Sequence, residues 1–251
     1  MRHGFDEIFK RMKRAITAHS LIADSEPIMV GLSGGKDSLT LLYALKQFQR
    51  ISKYKFSLAA GHVCLGFPGD DQEKMQAFCD ELDLPFYCQP TQIADIIFTY
   101  RQESNPCSLC AKMRRGALNS LAKDKGFNKI ALAHHQDDVV ETLLLNLFYE
   151  GRVGSFKPLT YLDRSDLTVI RPLVYVPEEQ IRYFSRTYPL PVSRSNCPQD
   201  CLGKRQEMKR VTAQLEAMAP RGKDRVTGAL DRLLGSDWDA SQLRKAKEEA
   251  K

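Results

Sequence analysis

No apolar run in this chain is long enough to cross a bilayer, and no signal-peptide core follows Met1-Arg2-His3-Gly4-Phe5. Internal repeats and low-complexity segments are also missing, which excludes solenoids. Neither charge sign dominates: 37 Lys and Arg stand against 31 Asp and Glu, a net +6. That modest excess suits a polyanionic partner without requiring one. What remains is a chain of 251 residues, 43% hydrophobic and 27% charged, in the range of a cytoplasmic globular protein.

Seven cysteines are present, at 64, 79, 88, 107, 110, 197 and 201. In a reducing compartment they do not read as a disulfide framework. Cys107/Cys110 and Cys197/Cys201 form two close pairs, a spacing that suggests metal or redox chemistry. Lys112, Arg114 and Arg115 follow the first pair, and cations there would lower thiol pKa values and favour ligation. Two cysteines from each pair would permit tetrahedral zinc, whereas three thiolates would hold a 4Fe–4S cluster with one iron left open.

The chain alternates strand and helix. Strands are expected near residues 27–32, 56–63, 85–89, 129–133 and 169–173. Helices are expected at 38–50, 70–83 and 138–150, with a basic helix after a Cys-rich loop at 107–125. This order predicts an α/β fold, a doubly wound and mostly parallel sheet with helices on both faces. Residues 1–22 read as a basic amphipathic helix, 23–200 as the main domain, and 201–251 as a C-terminal helical segment that frays after 235. Residues 151–168 read as a loop.

Ser33-Gly34-Gly35-Lys36-Asp37-Ser38 follows the apolar run Ile28–Leu32 and opens a helix. A strand running into a Gly-Gly turn presents backbone N–H groups at a helix N-terminus, where anions are favoured. Ser33 and Ser38 add hydroxyl donors and Lys36 a charge. The string is not the Walker pattern, which needs a longer loop ending in Gly-Lys-Ser/Thr. It matches the PP-loop of N-type ATP pyrophosphatases, enzymes that cleave ATP to AMP and pyrophosphate. A second site signal, His134-His135-Gln136-Asp137-Asp138, lies between a strand and a helix. Asp137 or Asp138 could cap that helix or bind Mg²⁺. His134 is a candidate nucleotide contact.

Taken together, these strings resemble the TtcA-type tRNA 2-thiocytidine synthetases. The likeness runs through Ser33–Ser38, Gly66-Phe67-Pro68, Cys107–Cys110 with Arg114-Arg115-Gly116, His134–Asp138, Asn146-Leu147-Phe148-Tyr149 and Val169-Ile170-Arg171-Pro172-Leu173, over roughly residues 5–215. The resemblance implies ATP, Mg²⁺ and a 4Fe–4S cluster, used to replace the C2 oxygen of an anticodon-loop cytidine of tRNA with sulfur. It implies Cys107 and Cys110 as cluster ligands, with Cys201 favoured as the third and Cys197 in reserve. Ser33, Gly34, Gly35, Lys36, Asp37 and Ser38 would bind the nucleotide. Lys36 would stabilise developing charge, Asp37 fix the loop, Asp137 hold Mg²⁺ or orient the base, and Arg114 steady the adenylate.

A cysteine desulfurase or other sulfur donor, no membrane and a homodimer complete the picture implied. Arg152, Lys157, Lys204, Arg205, Lys209 and Arg210 are candidate contacts for tRNA phosphates. The chain departs from the family in two places. His62-Val63-Cys64 stands where an Asn-Leu-Asp type string is usual, and Cys197 and Cys201 are one residue further apart than a CxxC pair. The alternatives are adenylation or sulfur transfer on a small molecule or another RNA base, and a zinc-stabilised RNA-binding protein.

Overall fold

The computed structural model describes residues 2–67, 71–100, 106–193, 197, 204–235 and 238. Six strands form one sheet in the order β3-β2-β1-β4-β6-β5. They are β1 (Pro27–Gly31), β2 (Ser57–Cys64), β3 (Phe86–Pro90), β4 (Lys129–Ala131), β5 (Leu159–Leu162) and β6 (Leu167–Ile170). All neighbours pair in parallel except β5, which runs antiparallel to β6 with Leu159 opposite Ile170.

The helices are α1 (Arg2–Ala18), α2 (Lys36–Ile51), α3 (Gln72–Glu81), α4 (Pro106–Asp124), α5 (Gln136–Glu150), α6 (Glu178–Thr187), α7 (Lys204–Met218) and α8 (Gly222–Leu234). A single π-helical turn spans Asp95–Tyr100. Period-two alternation in the strands splits their side chains between two apolar layers. Ile28, Val30, Leu58, Ala60, Ala131 and Ile170 face a large core with residues of α1, α2, α3, α6 and α8. Met29, Val63, Ile130 and Leu167 face a smaller one with Leu118, Leu121 and Ala122 of α4 and Ile97 of the π-helical turn. Helices therefore cover both faces, as the alternation of elements predicts.

Three local expectations are corrected. Cys107 and Cys110 sit in the first turns of α4, not in a loop before it; Pro106 opens the helix, where its missing N–H costs nothing. The segment read as a loop, residues 151–168, contains β5 and the start of β6, a hairpin that Tyr161 closes by donating to Asp166 at 2.6 Å. Its strands are only four residues each, too short for a clear alternation. Helix α6 follows β6 unannounced because its first turn, Glu178-Glu179, carries no apolar residue.

The C-terminal helices are fastened to the N-terminal one. Arg11 of α1 grips Asp224 of α8 at 2.8 and 3.5 Å, and Gln136 of α5 donates to the same carboxylate at 3.0 Å. Behind them, His19 donates to the Tyr175 hydroxyl at 2.7 Å, and that hydroxyl donates to Asp231 at 2.8 Å. Trp238, fully buried, donates its indole N–H to Asp231 at 2.9 Å and packs edge-on to His19. Deleting an indole from such a site leaves a large cavity, so Trp238→Ala is expected to lower unfolding free energy by about 3–5 kcal/mol. Urea titration checks this, and a loss below about 1 kcal/mol would mean that the indole is not a core element.

Candidate active site

The sheet reverses its winding between β1 and β4, and ligands of doubly wound folds bind at that crevice beyond the strand ends. Residues 33–38 leave β1 there, and residues 134–138 leave β4. The first loop is held by its own serines. Ser33 N–H donates to Ser38 Oγ at 3.1 Å, Ser38 Oγ donates to the Gly35 carbonyl at 3.0 Å, and the two hydroxyls lie 3.1 Å apart. Gly34 has φ of +77°, a left-handed conformation, and a β-carbon there would stand 3.2 Å from Ser193. Gly35 precedes α2 as its N-cap and has no side chain to cap it, while its own N–H turns back to Ser33 Oγ at 3.4 Å. His62, the departure from the family string, is buried and donates from Nδ1 to the Leu32 carbonyl at 2.9 Å. It braces the loop from β2.

Charge is concentrated around this loop. Lys36 donates to Asp37 at 2.9 and 3.0 Å and reaches Glu178 Oε1 at 3.0 Å. Glu178, 4% exposed at the start of α6, also takes Lys209 of α7 at 3.0 Å and Arg182 at 3.3 Å. Burial alone would push the Glu178 carboxyl up. Hydrogen bonds and charge from Lys209 and Lys36 outweigh it and hold the pKa at about 2. Burial likewise opposes the Lys36 charge, yet Asp37 and Glu178 raise its pKa on balance.

Asp137 is the hub of the second loop. Its Oδ2 accepts the Glu178 backbone N–H at 2.7 Å, and its Oδ1 accepts Lys223 of α8. Asp138, not Asp137, caps α5, accepting the His135 N–H at 2.9 Å. His135 is buried among three carboxylates, with Asp138 at 3.5 Å, Asp37 at 3.8 Å and Asp137 at 3.9 Å. Hard oxygen donors gathered at the strand edge suit a hydrated Mg²⁺. His134 turns the other way, accepting from Arg171 Nε at 3.2 Å and packing on Phe156.

The cysteines converge on the same edge. Cys107 and Cys110 project from the start of α4, and Cys197 lies close enough that its charge and that of Cys107 both raise the Cys110 pKa. Burial is the larger cause, and it outweighs the opposing pull of Arg114. The expected lowering of the thiol pKa by nearby cations is thus reversed at Cys110. Cys201 lies outside the described residues. Four residues before Cys197, Ser193 donates its N–H to the Gly34 carbonyl at 2.9 Å, joining the cysteine segment to the phosphate loop. Cys107, Cys110 and Cys197, none in a disulfide, offer soft sulfur donors of the kind a 4Fe–4S cluster takes. Among the described residues no three His, Cys, Asp or Glu side chains form a tight cage for a single ion.

Sequence reading did not find Glu178 or Lys223. Lys209, a candidate tRNA contact, pairs with Glu178. Glu178, followed by Arg182 one turn later, looks in sequence like an ordinary surface pair. Only the packing of α6 beneath the loop turns it inward.

A Gly-Gly loop feeding an uncapped helix at the switch point of a parallel sheet defines a PP-loop nucleotide-binding protein, and the PP-loop domain family matches residues 6–197. The tRNA-cytidine(32) 2-sulfurtransferase of Syntrophotalea carbinolica is 39% identical over 232 residues, 90% of each chain. That of Geobacter sulfurreducens is 38% identical over 229 residues, 90% of this chain and 89% of the relative. The chain belongs to this family of tRNA-cytidine(32) 2-sulfurtransferases. Among solved structures, the U34-tRNA thiolase NcsA from Methanococcus maripaludis, determined with its 4Fe–4S cluster, superposes with a TM-score of 0.75 at 27% identity. The match spans 92% of this chain and 78% of that one.

The linkage between Glu178 ionisation and folding has a definite sign. A carboxyl held at about 2, against an ordinary 4.5, stabilises the fold fully above about pH 4.5 and loses that contribution as pH falls toward 2. Glu178→Gln keeps the shape and removes the charge. It is expected to cost about 3 kcal/mol at pH 7, with the difference from wild type shrinking below pH 4.5. Denaturant titrations at pH 7 and pH 3.5 check this; an equal cost at both would exclude the ionic origin.

Proposed function

We propose that this protein is an ATP-dependent, iron–sulfur-dependent tRNA thiolase that acts on C2 of the anticodon-loop cytidine at position 32. The observation that carries the reading is the Ser193–Gly34 hydrogen bond, which sets the phosphate loop and the cysteine segment side by side. The loop N–H groups, Ser33, Ser38 and Lys36 bind the phosphates of ATP and present its α-phosphorus to the C2 carbonyl oxygen of the base. That oxygen attacks phosphorus, the α–β bridge breaks, and pyrophosphate departs with its charge steadied by Lys36. Sulfur then attacks C2 and the oxygen leaves as part of AMP.

Asp137 and Asp37 are the residues that would hold Mg²⁺, which when bound neutralises phosphate charge. Asp37 also anchors Lys36, and Arg114 would steady the adenylate. Cys107, Cys110 and a third cysteine, Cys201 with Cys197 in reserve, would hold the 4Fe–4S cluster, which when bound supplies an iron free of protein ligands for the incoming sulfur. The charge of Cys197 acts on the Cys110 thiol, which keeps it a candidate beside Cys201.

A cytidine stacked in a helix cannot reach between loop and cysteines, so the base is splayed out, as is usual in RNA recognition by shape and phosphate contact. The sulfur itself comes from outside the chain, from a cysteine desulfurase or another donor. A homodimer working in the cytoplasm fits the family. Among the described residues no helix is long and apolar enough to cross a membrane.

Anaerobically purified protein is expected to carry about four irons per chain. Cys107→Ala and Cys110→Ala should each lose iron and reduce tRNA thiolation to background, as should whichever of Cys201→Ala and Cys197→Ala removes the third ligand. Iron and sulfide counts beside mass spectrometry of nucleosides decide the matter. Retained thiolation in Cys197→Ala, with loss in Cys201→Ala, would give the third position to Cys201. A colourless protein with one zinc and no pyrophosphate release would instead indicate a zinc-stabilised RNA binder.

A further inference from the structure

Two ammonium groups share one carboxylate oxygen at the mouth of the phosphate loop. Lys36 and Lys209 each lie 3.0 Å from Glu178 Oε1, so they stand at most 6.0 Å apart, the sum of the two contacts. Lys209 also reaches Oε2 at 3.0 Å. Like charges at this range repel unless an anion lies between them, and here Glu178 supplies it. The three groups differ in freedom. Glu178 is locked, its side chain 5% exposed and its backbone N–H given to Asp137. Lys209 is 43% exposed on a long flexible stem and can exchange partners. Lys36 belongs to the loop itself. A polyphosphate entering along the loop can meet both ammonium groups, which stand within 6.0 Å of each other.

We infer that Lys209 of α7 is a polyphosphate-binding residue of the nucleotide site, for which the Glu178 carboxylate stands in while no nucleotide is present. The inference rests on the ATP site proposed above. It extends that site beyond the matched PP-loop domain, which ends at residue 197, into the C-terminal helices. In the reaction, Lys209 stays with the β- and γ-phosphates and joins Lys36 in steadying the pyrophosphate as it leaves. Lys223 of α8, only 16% exposed and seated on Asp137, has no such freedom and keeps the helical pair in place.

The test is equilibrium titration of the full-length protein, without tRNA, by ATP, by inorganic pyrophosphate and by adenosine. Lys209→Ala is expected to weaken ATP and pyrophosphate about tenfold, the loss of one charge-assisted phosphate contact. Adenosine binding should stay at its wild-type value, while the thermal midpoint falls modestly because Glu178 loses one of its three cations. Lys209→Arg should recover most of the affinity. Lys53→Ala, an equal loss of charge at an exposed position just past the far end of α2, controls for long-range electrostatics and should change nothing. Should truncation unseat α7, Lys209→Gln keeps the stem and a donor without the charge and is expected to show the same selective loss. Wild-type affinity for ATP and pyrophosphate in Lys209→Ala overturns the inference and returns Lys209 to tRNA contact. An equal loss of adenosine also overturns it. Failure of the wild type to bind ATP would instead overturn the nucleotide site itself.

Discussion

A carboxylate removed from water must be matched by cations, and the carboxylate of Glu178 is matched by three from different parts of the chain. Lys36 comes from the phosphate loop, Arg182 from the next turn of α6, and Lys209 from the C-terminal α7. Asp137, whose carboxylate takes the backbone of Glu178 and the side chain of Lys223, adds α5 and α8 to the same cluster. No member can move without leaving another uncompensated. The loop, which as an isolated turn would be loosely determined, is therefore placed by charge balance as much as by its serines.

The same logic fixes the outer helices. Asp224 is held at about pKa 2, chiefly by its hydrogen bond from Arg11, with Gln136 assisting against the cost of burial. Gln136 is the first residue of α5, so the pairing of α1 with α8 bears directly on the turn that carries His135 and Asp137. Burial, and then the hydrogen bond to Asp231, pushes the Tyr175 hydroxyl well above its ordinary range, so it remains a donor to Asp231. A helix from each end of the chain thus supports the central site.

Much of this was legible in the residues. Strand–helix alternation announced the parallel sheet, and Ser33-Gly34-Gly35-Lys36-Asp37-Ser38 announced the phosphate loop, because each depends on local spacing that sequence displays directly. What stayed hidden depends on contacts across long separations. Glu178 and Lys209 are 31 positions apart, and Lys223 and Asp137 are 86. No local pattern distinguishes these lysines from solvated surface charge. The short hairpin β5–β6 was missed because strands of four residues carry too little periodicity, and α6 because its acidic first turn hides an amphipathic helix. The pKa of Cys110 went the other way from expectation because burial, invisible in composition, exceeds the pull of Arg114.

The hydrogen bond from Ser193 to Gly34 pins one end of a short tether whose other end is Cys197. Four residues of extended chain span at most about 14 Å. However those residues run, Cys197 stays within about that reach of the phosphate loop for as long as the bond holds.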